Sequence, residues 1–86
     1  MYAVELAPRA QKFLSALETG TRKRIEERLK RLATTPVPSD AKFIERDEGN
    51  KIFRYRIGDY RALYTVYDRE RIVLVHKVDK RERVYQ

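Results

Sequence analysis

The sequence contains no cysteine and no tryptophan, a single histidine, and only three glycines and three prolines. Without cysteine there is neither a disulfide framework nor a thiolate metal site, and a chain this small would ordinarily need such staples outside the cell. The cytoplasm is therefore the expected compartment. The opening residues, Met1-Tyr2-Ala3-Val4-Glu5-Leu6, lack the basic start and long apolar run of a signal peptide, and no stretch approaches the roughly 18 apolar residues of a membrane span. Neither export nor membrane insertion is expected. The lone histidine, His76, lies on the last predicted strand without neighbouring ligands. It is expected to be a packed or partly exposed structural residue, so neither a metal nor a cofactor is implied.

What is present is charge. The 86 residues, expected to form one domain over 1–86, are 42% apolar and 38% charged, with a net charge of +7. Periodic apolar residues set this apart from a disordered polyelectrolyte. The excess is uneven: residues 1–18 carry two basic and two acidic side chains, 19–50 eight and six, and 51–86 ten and five. A positive field at the C-terminal end favours nucleic acid or another polyanion, although charge alone also fits a solvated basic surface.

Tyr2 to Leu6 alternates as a short strand, and Pro8 stands where a helix can begin without missing its donor. Ala10, Phe13, Leu14 and Leu17 recur at i, i+3, i+4 and i+7, which predicts a helix over about Pro8 to Leu17 with one buried stripe. Thr19-Gly20-Thr21 can supply a stop and an N-cap for a second helix to about Ala33, seamed by Ile25, Leu29 and Leu32. Its charged residues read as a solvated face. Pro36 and Pro38 make 34–40 a crossing loop, and 41–50 has no clear pattern. From Lys51 the period becomes two: Ile52 to Ile57, Gly58-Asp59, Tyr60 to Tyr67, a polar turn, then Arg71 to Val78. The expected fold class is α+β: an N-terminal strand, a two-helix hairpin, then a three-stranded antiparallel meander, with the helices on one face of a small sheet.

Gly58-Asp59 fits a two-residue hairpin loop of type II′. That loop sets Ile57 opposite Tyr60, Arg56 opposite Arg61, Tyr55 opposite Ala62 and Phe53 opposite Tyr64, and opposed residues project from the same side. Phe53, Tyr55, Ile57, Tyr60, Ala62, Tyr64 and Val66 then form the core face, while Arg54, Arg56 and Arg61 share the other. Like charges opposed across strands cost stability, so the arrangement points to an anion, for which guanidinium offers planar, bidentate contact to phosphate. The tail Lys80-Arg81-Glu82-Arg83-Val84-Tyr85 adds basic side chains and an aromatic, a combination suited to phosphate contact and base stacking.

The stretch Tyr55-Arg56-Ile57-Gly58-Asp59-Tyr60-Arg61-Ala62-Leu63-Tyr64 resembles the central hairpin of the RelE/ParE family of prokaryotic toxins, and Lys80-Arg81 with Val84-Tyr85 resembles its terminal H-R-x-x-V-Y pattern. The likeness runs from Tyr2 through Tyr85. Similarity to the RelE branch implies a ribosome-dependent mRNA endoribonuclease, cutting by attack of a ribose 2′-hydroxyl on the adjacent phosphate. The catalytic positions it implies are Arg54, Arg56, Arg61, Arg81 and Tyr85. Lys51, Lys77, Lys80 and Arg83 are further candidates for RNA contact, the three lysines also standing in reserve as proton acceptors. The resemblance also implies a cognate RelB-like antitoxin as partner, beside the ribosome and mRNA. Relatives often carry lysine where this chain has Arg54 and Arg56, and histidine where it has Lys80. An arginine, always charged at neutral pH, is a poor general base, so either Tyr85 or a nearby lysine substitutes, or electrostatics suffice. Two alternatives remain open: a ParE-like toxin that inhibits DNA gyrase, and a non-catalytic RNA- or DNA-binding module.

Overall fold

The computed structural model describes residues 1–80. Eight elements follow in order: β1 (Ala3–Leu6), α1 (Pro8–Ser15), α2 (Thr19–Lys30), a 3-10 turn (Arg31–Ala33), β2 (Ala41–Asp47), β3 (Asn50–Ile57), β4 (Tyr60–Tyr67) and β5 (Ile72–Lys80). The strands form one five-stranded sheet in the order β1-β5-β4-β3-β2. Strands β2 to β5 are antiparallel neighbours, and β1 lies parallel to β5, from Ala3 opposite Ile72 to Leu6 opposite Val75.

The α+β class and the helices on one face agree with the sequence reading, but the antiparallel part has four strands and not three. The additional strand, β2, falls in the patternless segment. Its alternation is broken by an irregularity between Phe43 and Glu45, the local kink that an extra residue puts into one strand of a pair. Its turn to β3 uses Glu48 at φ 51° and Gly49 at φ 84°. Two successive positive φ values are the requirement of a type I′ hairpin loop.

Pro8 occupies the first turn of α1, as its missing donor allows. The helix ends at Ser15, earlier than expected, where Ala16 and Leu17 bond back to the Phe13 and Leu14 carbonyls. The start of α2 differs more. Neither threonine is its cap: Glu18 is, its carboxylate accepting from the Thr21 amide at 2.7 Å. Gly20 lies inside the first turn, where a Cβ would come 3.1 Å from the Glu18 Oε1. The capping hydrogen bond also holds the Glu18 carboxyl below the usual carboxylate range.

The core lies between sheet and helices. Ala10 and Leu14 of α1, Ile25 and Leu29 of α2, and Leu32 meet Phe53, Tyr55, Ile57, Ala62, Tyr64, Val66, Val73, Val75 and Val78. Tyr64 is fully buried, with its ring stacked 5.5 Å from Phe53 and its hydroxyl donating to the Pro36 carbonyl at 2.8 Å. A register shift between Leu63 and Tyr64 bulges β5 at His76. That extra residue lets Val73, Val75 and Val78 all face the core despite their uneven spacing.

Candidate functional site: a cationic hollow

The turn between β3 and β4 has the expected form. Gly58 takes φ 62° while Asp59 stays out of the positive region, the pattern of type II′ and not I′. The register follows: Ile57 faces Tyr60, Arg56 faces Arg61, Tyr55 faces Ala62 and Phe53 faces Tyr64. Because Phe53, Tyr55 and Ile57 are buried in the core, Arg54 and Arg56 project from the sheet's other side, and Arg61 joins them. Opposed side chains there leave their Cβ atoms about 5 Å apart, within reach of one phosphate.

These three arginines line a single open hollow of about 420 Å³, together with Arg28, Asp40, Lys42 and Gly58. The sequence reading missed three of these side chains. Lys42 pairs with Arg54 across β2 and β3, so it stands on the arginine face. Arg28 comes from α2, whose charged side reads as solvated in the sequence. It reaches around the sheet edge, donating to the Tyr55 hydroxyl from Nε at 3.2 Å and from Nη2 at 3.1 Å. Its guanidinium also sits 5.1 Å from the Tyr55 ring centroid. Asp40 precedes β2 and accepts from Arg28 Nη2 at 3.4 Å. Among the described residues, the result is five cationic side chains around one carboxylate.

Two of the arginines are held in place. Arg56 is exposed, but its Nε donates to the Gly58 carbonyl at 3.1 Å, which ties the side chain to its own turn. Arg61 is half-buried with its Nε covered, and Asp79 of β5 stands opposite it in register. Such tethering reduces the rotamer freedom an anion would otherwise have to freeze out on binding.

The remaining candidates divide. Lys77 registers opposite Leu63 and so belongs to the arginine face, an outcome of the β5 bulge. Lys80 registers opposite Tyr60 on the helix side. Lys51 does not join the cluster: it shares the parity of Phe53 and borders a different depression with Val37, Phe43, Val66 and Asp68. Five residues along β3 from Arg56, it is about 17 Å away. Arg81, Arg83 and Tyr85 lie outside the described residues. His76 is half-buried at its bulge and hydrogen-bonded to the Thr65 hydroxyl, as expected of a structural residue. Burial, with a smaller contribution from the Arg9 charge, pushes its pKa down. Among the described residues no group of His, Cys, Asp and Glu could hold a metal ion, and no helix is long and apolar enough to cross a membrane.

Residues 4–85 match the family model described as the ParE toxin of the type II toxin-antitoxin system parDE. The chain belongs to the RelE/ParE family of toxins. A relative from Methanocaldococcus jannaschii that carries the name RelE1 is 33% identical over 86 residues, covering 99% of this chain and 96% of that protein. The archaeal RelE-RelB complex from Pyrococcus horikoshii OT3 contains a chain that superposes with a TM-score of 0.85 at 28% identity, over 96% of this chain and 98% of that one. The isolated E. coli RelE toxin superposes at 0.73 with 25% identity, over 96% and 87%. The RelE-like fold thus carries the hollow on its hairpin.

Proposed function

We propose that this RelE/ParE-family toxin is a RelE-like mRNA endoribonuclease that acts on the ribosome and is held in check by a cognate antitoxin. The observation that carries the reading is the convergence of Arg54, Arg56 and Arg61 with Lys42 and Arg28 on one open hollow. A gyrase-directed toxin has no need of a phosphate site, whereas scission of RNA does. In the reaction the ribose 2′-oxygen bonds to phosphorus, the bond from phosphorus to the 5′-oxygen breaks, the 2′-hydroxyl gives up its proton and the leaving oxygen gains one. The products are a 2′,3′-cyclic phosphate and a free 5′-hydroxyl.

Arg56 and Arg61 are suited to neutralise the charge that builds on the pentacovalent phosphate, with Arg54 and Lys42 holding its flanks. Arg81 would stabilise or protonate the leaving oxygen, and Tyr85 would stack on or orient a base. Lys77, on the same face, would add to the hold on the RNA backbone, as would Arg83, whereas Lys80, on the helix side, could meet only a strand that passes round the sheet edge. Guanidinium is a donor only, so positioning by the ribosome must supply much of the rate, on the order of 7 to 11 kcal/mol in the best cases. Weak cleavage of free RNA follows.

The antitoxin is supported by the relatives, since the Pyrococcus horikoshii and Mycobacterium tuberculosis structures are complexes of toxin and antitoxin. With a net charge of +7 on this chain, an acidic or amphipathic segment is the complementary partner. The cytoplasm, where ribosomes and mRNA are, is the corresponding location.

The test maps mRNA ends with purified toxin on naked mRNA and on mRNA in translating ribosomes. Cleavage is expected with ribosomes, faint without them, and absent from the double variant Arg61→Ala, Arg81→Ala. Equal rates on both substrates would remove the ribosome dependence. The family model's ParE description makes gyrase inhibition the second reading, favoured if the double variant still blocks DNA supercoiling.

A further inference from the structure

Among the described residues, the hollow contains one oxygen base. Of its lining side chains, Arg28, Lys42, Arg54, Arg56 and Arg61 are cations, and a charged guanidinium or ammonium has donors but no acceptor. Asp40 alone among them can take a proton at neutral pH. It is also reachable: its side chain is 57% exposed, against 30% for its partner Arg28. The contact between them uses Oδ2 and is long, at 3.4 Å. Arg28 is clamped from two further sides, by the Tyr55 hydroxyl and by the Arg56 carbonyl at 3.5 Å. The chain behind the carboxylate is fixed as well, since the Ala41 amide bonds to the Pro38 carbonyl at 2.9 Å.

We propose that Asp40 is the proton acceptor for the attacking 2′-hydroxyl, and that Arg28 positions it by holding one carboxylate oxygen while the other faces the hollow. The role rests on the ribonuclease reading above. One carboxylate oxygen takes the proton as the 2′-oxygen closes on phosphorus, and the neutral acid then returns it to solvent. A substrate hydroxyl within about 3 Å, or one water away, satisfies the geometry. Asp40 thereby supplies what arginines at the two β3 positions cannot.

Asp40→Asn tests this, because the amide oxygen still accepts from Arg28 and only the basic oxygen is lost. On ribosome-bound mRNA the single-turnover rate should fall on the order of 100-fold. Binding to the loaded ribosome should be equal or tighter, since a negative charge has left a cationic site. Asp40→Glu should recover most of the rate, and formate should partly rescue Asp40→Ala. A rate for Asp40→Asn within threefold of the unaltered chain, or no rescue of Asp40→Ala by formate, would overturn the role of Asp40 and leave the ribonuclease reading standing. Absence of any cleavage by the unaltered chain would overturn both.

Discussion

Single residues of the site were legible to the extent that a short loop fixed them. Arg54, Arg56 and Arg61 could be placed on one face because a two-residue turn leaves a single register. Arg28, Asp40 and Lys42 could not, since their approach depends on how a helix and an edge strand meet β3, which no local pattern encodes. His76 was legible as structural, and its environment makes a prediction. Burial chiefly, then Arg9, lowers its folded pKa, with Asp47 opposing. The unfolded chain therefore binds the proton more readily. The stability gained from the neutral imidazole is complete above the unfolded histidine value of about 6.5 and declines as pH falls below it. Thermal melts from pH 7.5 to 5 should show a steeper loss for the unaltered protein than for His76→Gln, which keeps a hydrogen-bonding group for Thr65.

At the level of elements, the turn and register of the β3–β4 hairpin were legible, though β3 begins at Asn50, two residues before the expected Ile52, whereas β2 was hidden by its irregular pairing and by a turn that places glutamate where asparagine or aspartate is the usual signal. The end of β5 carried a readable clue: valines at 73, 75 and 78 are spaced by two and then three, and only a bulge reconciles that with one buried face. The Gly58 turn is the element on which the arginine register depends. Gly58→Ala at φ 62° should cost about 1–2 kcal/mol in urea unfolding, and Gly58→Asn, which tolerates this region better, should cost less. Both should weaken the proposed RNA cleavage only as far as they distort the turn whose residue-58 carbonyl holds Arg56.

For the whole molecule, a net charge of +7 is combined with a hollow that Arg54, Arg56 and Arg61 line together. Binding of a short single-stranded RNA should be strongly salt-dependent. Replacing Arg54 and Arg56 together by methionine should reduce the slope of log affinity against log salt by about 1.4, at roughly 0.7 for each phosphate that is no longer neutralised. Fluorescence anisotropy across a salt series measures it, and an unchanged slope would place the bound strand elsewhere. That readout needs no ribosome and no cleavage.

The order of strands has a consequence for synthesis. Strand β5 enters between β1 and β4, so the first strand made finds its neighbour only when about 70 further residues have been added. Until then the helices have an incomplete sheet to pack against, and Val73, Val75 and Val78 are missing from the core. A nascent chain should therefore acquire a closed interior, and with it a rigid frame under the arginine hollow, only once β5 has been made.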